Sequence, residues 1–174
     1  MNKVLFKESQ QFRQWWQIAG ILVATVPSIM LCLYALFQQM VMGEQVGKSP
    51  APNGVMIAVI LGLCMVLWVL FSLKLEVWVD RQGLHYRFFP LIQKSRLITK
   101  EEILRFEIRQ YRPLLEYGGW GIRKGLWNKW GRAYIVAGNT GLQLYLNNGK
   151  KVLFGTQRPQ ALEYALKEMM EPGR

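Results

Sequence analysis

Acidic residues are scarce in this 174-residue chain: 11 Asp or Glu stand against 22 Lys or Arg, for a formal net charge of +11. Cysteine and histidine are scarcer still, with 2 Cys and 1 His. Two thiols cannot build the disulfide framework of a small secreted domain, and with one His they make no metal-ligand cluster. His85 is the sole histidine and Asp80 the sole aspartate. A Ser-His-Asp set would have to draw on Ser72, inside an apolar run, or on Ser95. Glu101 and Glu102 are adjacent, so they point apart and read as solvated caps rather than an acid–base pair. Gly118-Gly119-Trp120-Gly121 lacks the Gly-Lys-Ser/Thr ending by which a P-loop holds phosphate. No catalytic residue, metal ligand or cofactor is expected, and the chain reads as a non-enzyme.

Charge disappears altogether from two long stretches. Between residues 14 and 73 only Glu44 and Lys48 are charged. The uncharged runs at 18–37 and 54–73 each reach roughly 30 Å as helices, the thickness of a bilayer's hydrocarbon core. This excludes a disordered chain and a multidomain soluble enzyme, and predicts transmembrane helices over about 17–38 and 54–73. Pro27 kinks the first without ending it. The competing reading of the first run is a cleaved signal peptide or a lipoprotein signal ending at Cys32. The run exceeds the usual signal core, and Leu31 is too bulky for a lipoprotein cleavage site. Cys32 and Cys64 read as small buried hydrophobes, with a disulfide between them left open. No acid, base or His lies in either run, which argues against a transporter.

The flanks set the orientation. Lys3, Lys7 and Arg13 oppose Glu8 in the tail, the middle loop at 38–53 is neutral, and residues 74–174 hold 18 Lys or Arg against 9 Asp or Glu. Basic residues stay on the cytoplasmic side, so both termini are expected in the cytoplasm. Residues 1–73 then form a tail and hairpin, and residues 74–174 a cytoplasmic domain. Trp15 and Trp16 stand where interfacial anchors belong. Small residues recur every fourth position, Gly20, Ala24 and Ser28 in the first run and Gly54, Ala58 and Gly62 in the second. Such rows let helices approach closely; the hairpin's own helices are the first partners they suggest, and a homo-oligomer the second.

Past Leu73 the hydrophobic period becomes that of a strand. Leu75, Val77 and Val79 alternate with polar neighbours, Asp80-Arg81-Gln82-Gly83 offers a turn, and Leu84, Tyr86 and Phe88 resume. Further strands are expected around 92–98, 104–108, 133–137, 142–146 and 152–154, with Asn148-Gly149 as the turn between the last two. Thr99-Lys100-Glu101-Glu102 has capping-box spacing. Pro159 suits the first turn of a helix whose Leu162, Ala165, Leu166 and Met169 share one face. The order is about seven strands followed by one helix.

Residues 118–132 combine three Trp, four cations and five Gly without an acid, inside a longer acid-free stretch at 117–162. Trp120, Arg123, Lys124, Trp127, Lys129, Trp130 and Arg132 form a candidate contact with anionic headgroups. Two other readings stand beside it: the Trp side chains pack into the domain while glycines shape turns, or they line a protein or ligand pocket. Nucleic acid is set aside, because positive-inside charge already accounts for the cations.

The segments Glu116-Tyr117-Gly118-Gly119-Trp120-Gly121-Ile122-Arg123, Gly141-Leu142-Gln143-Leu144 and Leu153-Phe154-Gly155-Thr156-Gln157-Arg158-Pro159 resemble an uncharacterised bacterial family of two-helix membrane proteins with a C-terminal pleckstrin-homology-like domain. The resemblance spans most of the chain and implies a seven-stranded pleckstrin-homology-like barrel with a C-terminal helix. It does not imply phosphoinositide binding, since the first hairpin offers only Asp80, Arg81, His85 and Arg87. The expectation is a membrane-anchored binding or scaffolding module that meets the anionic membrane surface, a protein partner, or both. The alternative is a membrane enzyme or accessory subunit with a small-ligand pocket near His85, beside Glu107 or Arg109.

Overall fold

The computed structural model describes residues 3–11, 15–44, 46–47, 50–126 and 130–171, apart from the side chains of Trp16 and Gln17. The chain divides into two compact units, residues 13–71 and residues 1–12 with 72–174.

The first unit is helical. Helix α1 (Trp15–Phe37) contains Pro27, continues through a single π turn at Gln38–Met42, and stops at Gly43 in the left-handed region (φ 71°). Helix α2 spans Asn53–Ser72. Both are long and apolar enough to cross a membrane, and only 6% of either apolar window is buried within the chain. A helix apolar on every side belongs in a core or in lipid, and no protein core covers these. Trp15, expected at an interface, is 79% exposed at the start of α1. The rows of small residues lie on the exposed sides of their helices, and a Cβ added at Gly20, Gly54 or Gly62 would meet nothing within 4 Å. The expected close approach along these rows is therefore not made within the chain. The less exposed positions carry Ile21, Ile29, Met56 and Ile60 instead. Cys32 and Cys64 are both free thiols.

The second unit is mostly β. Strands β1 (Phe6–Gln11), β2 (Lys74–Val79), β3 (Gly83–Phe89) and β4 (Ile92–Thr99) form one antiparallel sheet in that order. Strands β5 (Ile103–Gln110), β6 (Gly121–Lys124), β7 (Arg132–Ile135), β8 (Thr140–Leu146) and β9 (Lys151–Gly155) form a second, ordered β5-β8-β9-β7-β6, with β7 parallel to β9. Among the described residues neither sheet closes on itself. The described residues carry nine strands rather than about seven, the additions being β1 and β6, and a short helix α3 (Pro113–Tyr117) precedes β6.

Strand β1 places the N-terminal tail in the β unit rather than with the hairpin. Its buried face is Phe6, Glu8 and Gln10, two polar residues of three, which hides it from a hydrophobicity reading. Glu8 accepts hydrogen bonds from Thr156 Oγ1 (2.6 Å) and Gln157 N (2.8 Å), and Gln10 Nε2 donates to the Gly155 carbonyl (2.6 Å), while Gln10 Oε1 is buried without a partner. These bonds offset much of the cost of burying polar side chains. The ladder pairs Gln11 with Lys74, and Lys74 in turn with Phe89. The chain thus leaves and re-enters the sheet at one end, beside the β3–β4 turn.

The first hairpin buries Leu75, Val77, Val79, Leu84, Tyr86 and Phe88 as its alternation requires. Asp80 Oδ1 accepts from the Gln82 and Gly83 amides to hold its turn. Thr99 and Glu102 form the capping box over one 3-10 turn, Lys100–Glu102. Helix α4 (Pro159–Met170) buries Leu162, Ala165, Leu166 and Met169 and touches β1, β2, β5 and β8, so it ties both sheets together.

Two outcomes follow in unfolding experiments. Glu8→Ala should cost about 2 kcal/mol, since it strands the Thr156 hydroxyl and the Gln157 amide. The hydrogen bond from Lys74, and secondarily Arg87, holds the Glu76 carboxyl below its ordinary value of 4.5 against its burial. Its contribution is complete above pH 4.5 and is lost as pH falls through the lowered value. Glu76→Gln should flatten the acid limb of a melting temperature against pH profile.

Candidate functional site

The segment between β5 and β7 is organised by Arg109. Its guanidinium pairs with Glu116 Oε2 (2.8 Å), and donates to Gln143 Oε1 (3.2 Å) and to the Tyr117 hydroxyl (3.1 Å). It also lies over the Trp130 ring, 4.6 Å from the centroid. Both members of the ion pair are largely buried, with side chains 16% and 14% exposed. Burial pushes the Tyr117 hydroxyl up, against the pull of Arg109. Gly118 ends α3 in the left-handed region (φ 70°) and lets its amide reach back to the Leu114 carbonyl. The Leu126 amide then donates to the Glu116 carbonyl and the Gly125 amide to that of Gly131, which folds the segment back on itself.

The seven residues expected to meet headgroups do not share one environment. Trp120 and Trp130 are half-buried and pack against Tyr111, Tyr117, Ala133, Ile135 and Leu153. Arg123 is exposed and donates from Nε to the Trp120 carbonyl (2.9 Å). Lys124 and Arg132 are exposed at the ends of β6 and β7 and directly paired in register. Trp127 and Lys129 lie outside the described residues, as does the side chain of Trp16. Among the described residues of this segment, Leu126 is an outward apolar side chain, 60% exposed.

What the tertiary structure adds is a groove of about 460 Å³ between the two sheets. Lys124, Arg132, Lys150 and Lys151 line it, with Tyr86 and Tyr134 among its other walls and no Asp or Glu. The two tyrosine hydroxyls lie 3.3 Å apart, and Tyr134 stacks on Phe154. Burial, then the hydrogen bond to Tyr134, pushes the Tyr86 hydroxyl up to about 12. Strands β6, β7, β8 and β9 all fall within the acid-free stretch. The sequence showed that stretch, but not that β6, β7 and β9 gather its cations at one place.

His85 belongs elsewhere. It stacks on Trp78 at 5.1 Å and contacts Asp80 Oδ2 at 3.0 Å, while Asp80 holds the hairpin turn. Glu107 accepts from the Tyr145 hydroxyl (2.6 Å) and Arg109 is engaged as described, so each of the three has a different set of partners.

Arg109→Ala should destabilise the protein by about 3 kcal/mol, because it leaves Glu116 charged and shielded from water. It should also shift tryptophan emission as Trp130 loses its cover. Arg109→Lys should not restore the emission, since an ammonium cannot make the planar contacts of a guanidinium.

No protein-family model matches this chain and no curated protein is similar to it, so the reading of the site rests on its own geometry.

Proposed function

We propose that this chain is a membrane-anchored binding module of a bacterial inner membrane, in which the two apolar helices anchor and the β unit works at the anionic cytoplasmic surface. The observation that carries the reading is the register Gln11–Lys74–Phe89. From Gln11 to the start of α1, and from the end of α2 to Lys74, the chain can reach at most roughly 14 Å and 7 Å. Anchoring both exits holds that end of the first sheet against the bilayer. Phe89 and Leu91, 41% and 63% exposed, stand at this same end, with Lys94 exposed on β4 just beyond. Apolar tips with neighbouring cations suit the headgroup boundary of an anionic membrane. The contact so inferred centres on the β3–β4 turn, with the exposed Arg123 and Leu126 as an additional patch.

Charge supports the orientation. Pairing of β1 with β2 puts the basic tail and the basic β unit on one side, which the positive-inside rule makes cytoplasmic. The strand order also supports the pleckstrin-homology-like kinship. Without the helical hairpin between β1 and β2, and without the segment carrying α3, β6 and β7, there remain four antiparallel strands, then β5-β8-β9, then α4. That is the four-plus-three order with a closing helix. A protein partner fits the same scheme, held at the membrane by a tethered module.

Single-cysteine variants, with Cys32 and Cys64 replaced by Ala, test the reading in phosphatidylglycerol vesicles. Glu44→Cys and Gln82→Cys should label from opposite sides of the membrane. A fluorophore at Leu91→Cys should be quenched by brominated lipid, whereas one at Gln82→Cys, at the far end of β3, should not. Labelling of both from one side, or equal quenching at 82 and 91, would sink the proposal.

A further inference from the structure

The register of the second sheet places like charges face to face. Lys124 on β6 stands directly opposite Arg132 on β7, an arrangement that weakens a strand pair. Arg132 is in turn paired with Val152 on the parallel neighbour β9, next to Lys151 and Lys150. The crowding is built into the backbone. Gly131 has φ +74°, and a Cβ there would collide with the Lys151 carbonyl oxygen, so only glycine lets β7 begin this close to β9. Asn148-Gly149 turns the chain so that Lys150 and Lys151 follow at once. No carboxylate lines the resulting groove, and none could come from residues 117–162, which contain no acid.

From this cluster we infer that the groove is a binding site for a compact, multiply charged anion of the phosphate monoester or diphosphate class. Lys124, Arg132 and Lys150 around about 460 Å³ exceed what one carboxylate would balance; Lys151 borders the groove but sets its ammonium over the Tyr145 ring, 5.4 Å from the centroid. Lysine and arginine are the side chains that bind phosphate oxygens. The Tyr86 hydroxyl at the wall remains protonated, because burial and then the hydrogen bond to Tyr134 raise it far above neutral pH. The volume suits a small molecule or a headgroup. A single-stranded nucleic acid would need aromatic faces open for stacking, whereas Tyr86 and Tyr134 are 7% and 1% exposed. The inference does not depend on bilayer contact by the β3–β4 turn. The phosphate can belong to a soluble ester or to a lipid headgroup, and the two sources separate experimentally.

The full chain in neutral detergent would be titrated with inorganic pyrophosphate by calorimetry, and reconstituted in nanodiscs with and without phosphatidic acid. Parent, Arg132→Gln, Lys124→Gln and, as a charge-matched control on α4, Lys167→Gln would be compared. Saturable pyrophosphate binding, weakened at least tenfold in R132Q and K124Q but not in K167Q, is the expected result and identifies a soluble ester. The same pattern with phosphatidic acid alone upholds the site and identifies the lipid as its source. Ligand-free R132Q should also melt at a higher temperature in low salt, since it relieves repulsion; a residue of purely structural value would do the reverse. Absence of saturable binding to both probes, affinities in R132Q equal to the parent's, or a lower melting temperature for ligand-free R132Q would overturn the inference.

Discussion

The backbone ladder between Phe6–Gln11 and Lys74–Val79 is the contact on which the rest of this chain depends. It closes the whole helical segment into a loop whose ends sit side by side, and such long closures must be compensated by the contacts they create. Glu8 and Gln10 supply part of that compensation by bonding residues 155–157 beyond β9. The first sheet, the second sheet and the start of α4 are thereby joined through a strand that precedes the apolar helices.

Two arrangements of cations coexist in the β unit, and their contrast is informative. Arg109, Arg87 and Lys74 are matched by Glu116 and Glu76, so they serve packing and register. At the β6–β7–β9 junction the lining holds Lys124, Arg132 and Lys150 and no acid. Cross-strand like charges oppose folding, and a fold that keeps them near a glycine-enforced close approach is spending stability on something other than itself. The tryptophans take part in the first arrangement: Trp130 lies under Arg109 and Trp120 packs beside it on the core.

Much of the scaffold was legible because its signal is local. The alternation of Leu75, Val77 and Val79 and the period of Leu162, Ala165, Leu166 and Met169 need no distant partner to be read. The capping box at Thr99 and Glu102 is equally local. Strand β1 was not legible, since Glu8 and Gln10 look like solvent-facing residues until Thr156 and Gly155 arrive to pair with them. Strand β6 was hidden for a similar reason: its four residues have no alternating pattern and form a strand only because β7 offers them a ladder. The small-residue rows on α1 and α2 turn outward, which spacing alone cannot say, since it does not fix which face of a helix turns inward.

By itself, then, the sequence determined the quantities that are sums and periods: two apolar spans, a basic remainder, an acid-free stretch, the strands of the first hairpin and the closing helix. These depend on each residue's own transfer energy and on its immediate neighbours. The tertiary structure alone decided that the tail completes the first sheet, that Trp120 and Trp130 turn toward the core, and that Lys124, Arg132 and Lys150 meet in one groove. Those outcomes depend on pairings between residues far apart in the chain, and hydrogen-bond partners and charge neighbours at such distances leave no trace in local composition.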